Sequence, residues 1–453
     1  GSGKTSLRKR LMKQDADPEQ DQTYGIDILD DTVTCGRRDI LVHYWDFGGQ
    51  VTMHATHQFF LTRRSLYILV LDGRQEEDPE YWLKHIETFG DNSPVLVVLN
   101  KMDQNPGFDL NRPFLTDKYP NIKGFFRVSC HLKRSSGLPA LTKALKQELP
   151  QVELVDETWP VTWFDVKSEL QQSNAPYIEM GAFRDICQRN GVTDQTAQKT
   201  LTRFLNDLGI SLHFDDPRLK LVHVLNPLWV TQAVYRIITS PVLADGHGVL
   251  TLEQVEQILR PTEPEHFEYP DDRRLYIIDL MKRDRFELCY ELDPDRVILI
   301  PDLLQVEEPE YDFPKENILQ FRYEYDFLPR SILPRFIVRR HTEIKRSVPG
   351  DEPLQWRTGV VLSAPEELQA TAVVWSDNRD RKIMIAVAGR DRREYFREIR
   401  REFGHIHDSF QKLDRSEMVP LPNEPGVAVD YRDLVFHLGT ICLTRRIQIL
   451  KTL

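Results

Sequence analysis

The chain has 453 residues, 40% hydrophobic and 28% charged, a composition that folds and leaves room for several cores. Its formal net charge of −11 argues against a protein that coats nucleic acid or an anionic membrane. No apolar run approaches the roughly 18 residues that cross a bilayer, so no transmembrane segment is expected.

The first third alternates short β-rich runs with helical stretches, the pattern of a parallel sheet wrapped by helices. Strands are expected near 26–29, 40–46, 65–71, 94–100 and 124–128, and helices near 5–13, 79–89 and 138–149. The acidic "QVELVDETWP" after Pro150 marks a boundary, giving a first domain at 1–153. Over 154–308, "YIEMGAFRDICQRNGVTDQTAQKTLTRFL" and its sequel read as helix, turn, helix and two strands joined at 215–220. The order recurs from "LTLEQVEQIL", so two winged-helix-like units stand in tandem. After the Pro- and Glu-rich "PDLLQVEEPEYDFP", the span 309–453 alternates in the strand manner and adds the charged helix "RREYFREIRREFGHIHDSF". The fold class is therefore an α/β domain, a mainly helical winged-helix-like domain and an α+β domain.

Five scattered cysteines (35, 130, 187, 289 and 442) lack paired spacings, which fits a reducing cytoplasm and suggests neither a disulfide framework nor zinc.

"GSGKTS" opens the chain like the back half of a phosphate-binding loop. There Gly1, Ser2 and Gly3 aim backbone N–H groups at a β-phosphate, Lys4 bridges the phosphates, and the Thr5 hydroxyl, with Ser6 beside it, binds Mg²⁺. Such a loop needs a strand before it, so the natural protein is expected to continue upstream with an apolar strand ending in a further glycine. "WDFGGQ" places Asp46 at a strand's carboxyl end, where it can orient a Mg²⁺-bound water. Gly49 leaves room for a γ-phosphate, and Gln50 can position an attacking water. Thr23, ahead of a strand, can complete the Mg²⁺ shell.

"VLVVLNKMD" ends a buried strand with Asn100, Lys101 and Asp103. The Asp103 carboxylate can accept both N1–H and the exocyclic amine of guanine, and adenine would leave it unpaired. Lys101 can lie along the base, and Asn100 can tie the base loop to the phosphate loop. In "RVSCHLK", Ser129 and Cys130 can offer backbone N–H groups to guanine O6, while His131 stands where such loops often carry lysine.

These elements, in this order, resemble a Ras-type small GTPase domain. "WDFGGQ" followed by "HATHQFFL" resembles the Roc domain of the Roco family. The remainder, with "LNPLWVTQAVYRIIT", "WRTGVVL" and "VPLPNEPGVAVDYRDL", resembles the COR domain that follows Roc. The resemblance, to a Roc–COR tandem of bacterial type, implies a switch that binds GTP and GDP with Mg²⁺. Gln50 and Lys4 would be the catalytic residues, Thr5, Thr23 and Asp46 would serve the metal, and the C-terminal half of COR would form a homodimer coupled to nucleotide state. Val51 departs from the family, which commonly has glutamate there. The alternative is a scaffold that binds GTP or GDP without hydrolysing it.

Other features read as packing or solvated surface. His54 and His57 have metal-ligand spacing but no third partner nearby. The expected recognition helix sets Lys199 and Arg203 against Asp194 and Asp207, too balanced to track DNA phosphates, so no DNA partner is expected. Arg335, Arg339, Arg340, Lys345 and Arg346 form a basic run that the acidic segment at 306–310 could neutralise. The helix with Arg392, Arg393, Arg397, Arg400 and Arg401 interleaves acids at i,i+4 spacing. Asp72 in "YILVLDG" reads as part of a core strand.

Overall fold

A computed structural model describes residues 2–15, 26–48, 65–74, 79–132, 137–152, 158–173, 175–207, 210–214, 216, 219–262, 267–282, 286–292, 297–314, 316–348, 352–410, 412–421 and 427–434. The chain divides into two compact units, Gly1–Thr239 with Glu256–Leu280, and Ser240–Val255 with Met281–Leu453.

The first unit begins with helix α1 (Lys4–Leu11), then the antiparallel hairpin β1 (Ile26–Cys35) and β2 (Arg38–Phe47). The hairpin outruns the expected strand because β-branched Thr32, Val33 and Thr34 continue it to a two-residue Gly36–Arg37 turn. Gly36 there takes φ 66°, the positive value such turns need. Strands β3 (Tyr67–Asp72), β4 (Val95–Asn100) and β5 (Ile122–Arg127) form a parallel sheet in the order β3-β4-β5. Helices α2 (Pro79–Gly90), α3 (Arg112–Lys118) and α4 (Gly137–Glu148) lie between and after them. Helix α3 was not anticipated, although Asn111 caps it by accepting a hydrogen bond from the Phe114 N–H and Pro113 sits in its first turn.

Residues 95 to 99 of β4 are wholly buried, and their alternation divides the core. Leu96 and Val98 pack with Leu7, Leu11, Leu141 and Leu145, joined by Val33 and Cys35 of the hairpin. Val95, Val97 and Leu99 pack with Leu83, Ile86 and Leu115. The first winged-helix unit follows helix α5 (Val161–Gln172). It comprises β6 (Tyr177–Glu179), α6 (Met180–Arg189), α7 (Gln195–Asp207) and β7 (Val222–Val224). Strand β7 pairs with β6 and also bridges to Leu212. Its core holds Phe183, Cys187, Leu201 and Leu205. Helix α8 (Pro227–Ile238), capped by Asn226, comes next.

The chain continues through α9 (Pro241–Asp245), β8 (Val249–Thr251), α10 (Leu252–Leu259), α11 (Asp271–Lys282), β9 (Tyr290–Leu292) and β10 (Val297–Leu299). This repeats the strand, helix, helix and hairpin order of the first winged-helix unit, with sheet order β8-β10-β9. The second compact unit then builds a seven-stranded antiparallel sheet from β11 (Leu319–Tyr325), β12 (Gln355–Trp356), β13 (Gly359–Ser363), β14 (Ala370–Asp377), β15 (Lys382–Gly389), β16 (Arg415–Pro420) and β17 (Ala428–Asp430). Its order is β12-β13-β14-β15-β11-β16-β17. Helix α13 (Arg392–His407) packs on it with Phe396 against Phe321 at 4.9 Å, and helix α12 (Ile332–Arg339) packs on α13 with Phe336 stacked on Phe403 at 4.4 Å.

The basic run on α12 is not neutralised by the segment at 306–310. Arg335 and Arg339 share Glu287, each at 2.6 Å, and Arg339 also reaches Glu402 at 2.7 Å. Arg340 pairs with Glu343 at 2.6 Å and meets Glu398 at 3.4 Å. The acids of α13 thus face α12 rather than only their own helix, and Arg400 pairs with Glu417 of β16 at 2.6 Å. Among the described residues Cys35, Cys130, Cys187 and Cys289 are free and buried, and no helix is long and apolar enough to cross a membrane.

Glu287 is buried between two guanidiniums, so Glu287→Ala strands the 6%-exposed Arg335 without its counterion. We expect a loss of roughly 3–5 kcal/mol in urea unfolding that is insensitive to salt; a loss that vanishes with added salt would contradict it. Burial also holds the imidazoles of His223 and His407 down at about 3, with His213 and Arg415 adding repulsion. Both are neutral when folded, whereas an unfolded histidine takes up a proton near about 6.5. Stability should therefore fall as pH drops from about 6.5 toward 3. His223 stacks on Phe183 at 4.4 Å and, among the described residues, its ring nitrogens make no hydrogen bond. His223→Phe should flatten that pH profile, and an unchanged slope would refute the assignment.

Candidate functional site

The carboxyl end of β4, the loop after β5 and the start of α1 meet at one buried side chain. Asn100 is 2% exposed at the end of β4. Its Nδ2 donates to the Ser2 carbonyl at 2.9 Å, and its Oδ1 accepts from the Cys130 N–H at 3.2 Å. One amide therefore joins the loop before α1, the end of β4 and the loop after β5. The approach is close enough to dictate a residue. Gly3 has φ 85°, and a Cβ there would lie 2.4 Å from Asn100 Nδ2, so only glycine fits. The loop then enters α1 directly, as a phosphate-cradling helix N-terminus requires.

On the base side, Lys101 takes φ 59°, an uncommon conformation for a side-chain-bearing residue. Its ammonium is fixed on the Asp72 carboxylate at 2.8 Å. Asp72 is 1% exposed and also receives Arg74 at 2.8 Å. Burial would raise the Asp72 carboxyl, yet the hydrogen bonds from Arg74 and Lys101 outweigh it and hold it well below the usual carboxylate range. Asp72 thus anchors the lysine that was expected at the base, a role the sequence reading missed. The available signal was a carboxylate closing an apolar strand just before Gly73.

Asp103 and the loop after β5 are in contact. The Asp103 N–H donates to Ser129 Oγ at 3.0 Å. His131 Nε2 lies 3.1 Å from Asp103 Oδ2, so the imidazole at the position where lysine was expected touches the carboxylate expected to read the base. The Cys130 N–H, expected to face guanine O6, is already given to Asn100.

On the phosphate side, Asp46 of β2 is 5% exposed. Burial raises its carboxyl, partly offset by the Thr5 hydroxyl and by the Arg8 and Lys4 cations. Directly opposite it across the hairpin stands Asp27, a like-charge pair that is unfavourable alone. Arg8 answers both: its Nη1 lies 2.6 Å from Asp27 Oδ2 and its Nε 3.7 Å from Asp46 Oδ2. Arg8 is 7% exposed and was not anticipated, since in "KTSLRKR" it looks like one more surface cation. Asp46 Oδ2 makes no hydrogen bond among the described residues. The Thr5 hydroxyl and the Asp46 carboxylate are oxygen donors of the kind a hard cation such as Mg²⁺ takes, and the Asp46 oxygen that makes no hydrogen bond is the one the Arg8 cation approaches at 3.7 Å. Gly1, Thr23, Gly49 and Gln50, with Val51, His54 and His57, lie outside the described residues.

On the opposite face the end of the hairpin beside Asp46 is apolar, whereas further along that face Asp30 pairs with His43 at 2.6 Å. Ile26, Ile28, Trp45 and Phe47 pack with Tyr235 of α8. Trp45 and Phe47 flank Asp46, so one strand presents a carboxylate to the phosphate loop and two aromatics to α8.

Three family models match the chain: "Ras of Complex, Roc, domain of DAPkinase" over residues 1–103, "C-terminal of Roc, COR-A domain" over 160–304 and "C-terminal of Roc, COR-B domain" over 316–437. A structure of Methanosarcina barkeri Roco2 RocCORdC bound to GDP is 49% identical, with a TM-score of 0.59 over 67% of this chain and 92% of that one. The probable serine/threonine-protein kinase pats1 of Dictyostelium discoideum is 29% identical over 440 residues, which is 85% of this chain and 13% of the kinase. A Roc-COR-CHAT protease of Runella zeae is 27% identical over 393 residues, 80% of this chain and 40% of the protease. The chain thus spans less than half the length of these two curated relatives.

If Arg8 is the shared counterion of Asp27 and Asp46, Arg8→Met should cost about 2–3 kcal/mol, discounted because the Asp27 side chain is 43% exposed. Adding Asp27→Asn should recover part of the loss. Strict additivity of the two substitutions in urea unfolding would sink the assignment.

Proposed function

The chain belongs to the Roco family, with a Roc domain followed by COR-A and COR-B, and from that premise we propose that it is a guanine-nucleotide switch that hydrolyses GTP to GDP. The observation that carries the reading is the Asn100 amide, which ties the phosphate loop to the base loop through hydrogen bonds of 2.9 and 3.2 Å. The GDP held by the Methanosarcina Roco2 RocCORdC structure supports the same ligand class.

In this reading the N–H groups around Gly3 and the ammonium of Lys4 bind the phosphates, and Asp103, steadied by Ser129, reads the guanine edge. Lys101, moored on Asp72, lies along the base. Thr5 and Asp46, with Thr23, would hold Mg²⁺, which when bound neutralises charge on the phosphates. Gln50 would position the water that attacks the γ-phosphorus, and the bond to the β–γ bridging oxygen breaks as GDP leaves. Each protein contribution is positioning or charge, the kind of catalysis this transfer needs. Tyr235 packing against Trp45 and Phe47 gives the Asp46 strand a route to the COR-A segment. The COR-B sheet is the proposed homodimer module. The domain limits 1–153, 154–308 and 309–453 are kept as working divisions.

Two measurements test this. Single-turnover hydrolysis of GTP should fall at least about a hundredfold in Lys4→Ala. Equal rates in both proteins, with GTP bound by the wild type, would leave a non-hydrolysing scaffold as the better description. Sizing in GDP and in a non-hydrolysable GTP analogue should give different monomer–dimer distributions that Tyr235→Ala makes alike. One unchanged monomer mass in both nucleotides would remove the coupling.

A further inference from the structure

Outside the nucleotide site, the first winged-helix unit carries a cleft of about 550 Å³ between α6, α7 and the turn leading into β7. Arg184 of α6, Lys199 and Arg203 of α7, and Lys220 of the turn line it, with Glu179 the one lining carboxylate among the described residues. Glu179 is already engaged by Arg273. Arg184, Lys199 and Lys220 are exposed, and none of the three makes an ion pair among the described residues. In a chain of net charge −11, a concavity lined by Arg184, Lys199 and Lys220 with Arg203 beside them runs against the average surface.

The floor of the cleft is fixed. Gln198 and Thr202 are buried, the Gln198 amide donates to the Val192 carbonyl at 2.8 Å, and the Thr202 hydroxyl donates to the Gln198 carbonyl at 2.9 Å. Phe183 packs in the core beneath, while Leu221 stands 60% exposed at the edge. The lining therefore combines strong donors for an anion with an apolar surface for a ring or chain. Its volume lies in the range of small-molecule sites. Bringing like charges together costs free energy that a bound phosphate would relieve through charge-assisted hydrogen bonds. Duplex DNA fits less well, because these cations surround a hollow rather than run in a stripe matched to successive phosphates, and Asp194 caps α7 by accepting from the Ala197 N–H.

We propose that this COR-A cleft is a second anion site, taking a phosphate ester of about nucleotide size, with the phosphate on Lys199, Arg203, Lys220 and Arg184. The phosphate ester can belong to a free metabolite or to a lipid headgroup.

The test uses the full chain saturated with GDP, so that the phosphate loop is occupied, and pyrophosphate as the calorimetric probe. Lys199→Glu with Lys220→Glu changes two exposed residues and should leave the fold and GDP affinity as in the wild type. Pyrophosphate affinity should drop at least about tenfold in that variant. Retention of the wild type but not the variant on phosphatidylcholine vesicles carrying phosphatidylinositol bisphosphate would assign the ester to a lipid, and binding of pyrophosphate alone would assign it to a soluble anion. Equal pyrophosphate binding by both proteins overturns the proposal. So does charge-dependent binding of a short DNA duplex at low salt with no pyrophosphate binding, which would make the face a nucleic-acid surface. GDP affinity is read separately, so failure here leaves the GTPase reading untouched.

Discussion

The site depends on the side-chain amide of Asn100. Three loops from distant parts of the chain must hold one geometry, and loops lack the repeating hydrogen bonds that fix strands and helices. A neutral amide can donate to one loop and accept from another at once, and burial makes each bond costly to lose. Asn100 does this at the end of the most deeply buried strand, so the rigidity of the sheet core passes to the Ser2 carbonyl and the Cys130 N–H. Gly3 follows from the same contact, since a Cβ would occupy the space of the amide. A hydrogen bond thereby sets both a backbone conformation and a residue identity.

Charge is handled by pairing across elements. Asp72 closes β3 and is answered by Lys101 after β4; Asp46 and Asp27 face each other on the hairpin and are answered by Arg8 of α1. The cations come from neighbouring segments in space, so every acid at the sheet end also holds a loop or helix in place. The second unit uses the same device in α12 and α13, where Glu287, Glu398 and Glu402 take up arginines. Buried pairs of this kind add little net stability over apolar packing, but removing one partner is expensive. They therefore penalise every arrangement that separates the partners.

The legible part of the sequence was local. Apolar runs such as "VLVVL" gave the strands their places, and Gly3, Lys4, Asn100 and Asp103 stood out because phosphate and guanine chemistry need those groups at loop positions after strands. What local pattern could not reveal was who pairs with whom. Arg8 looked like one basic residue among several until its approach to Asp27 and Asp46, 19 and 38 positions away, gave it a role. Asp72 looked like the end of a core strand until Lys101 reached it. The Arg335 and Arg339 run was matched to a nearby acidic stretch in sequence, whereas both arginines meet Glu287, about fifty positions earlier, and Arg339 also meets Glu402. Helix α3 escaped for a different reason: seven residues give too few turns for an apolar period, leaving only its Asn111 cap as a signal.

The alternation of β2 bears on how such a site can report its state. Successive side chains on a strand point to opposite faces, so Asp46 cannot change its place without carrying Trp45 and Phe47 with it. Asp46 looks toward Thr5 and Arg8, while its two neighbours look toward Tyr235. A packed aromatic contact resists small continuous displacements and responds by repacking. The partner strand is bound by the same rule, because Ile26 and Ile28 share the aromatic face and Asp27 between them shares the charged one. At this end of the hairpin one face thus carries Asp27 and Asp46 toward α1, and the other carries Ile26, Ile28, Trp45 and Phe47 toward Tyr235 of α8. Asp46 and the aromatics that meet Tyr235 are adjacent residues of one strand, and that adjacency is the connection the proposed coupling would use.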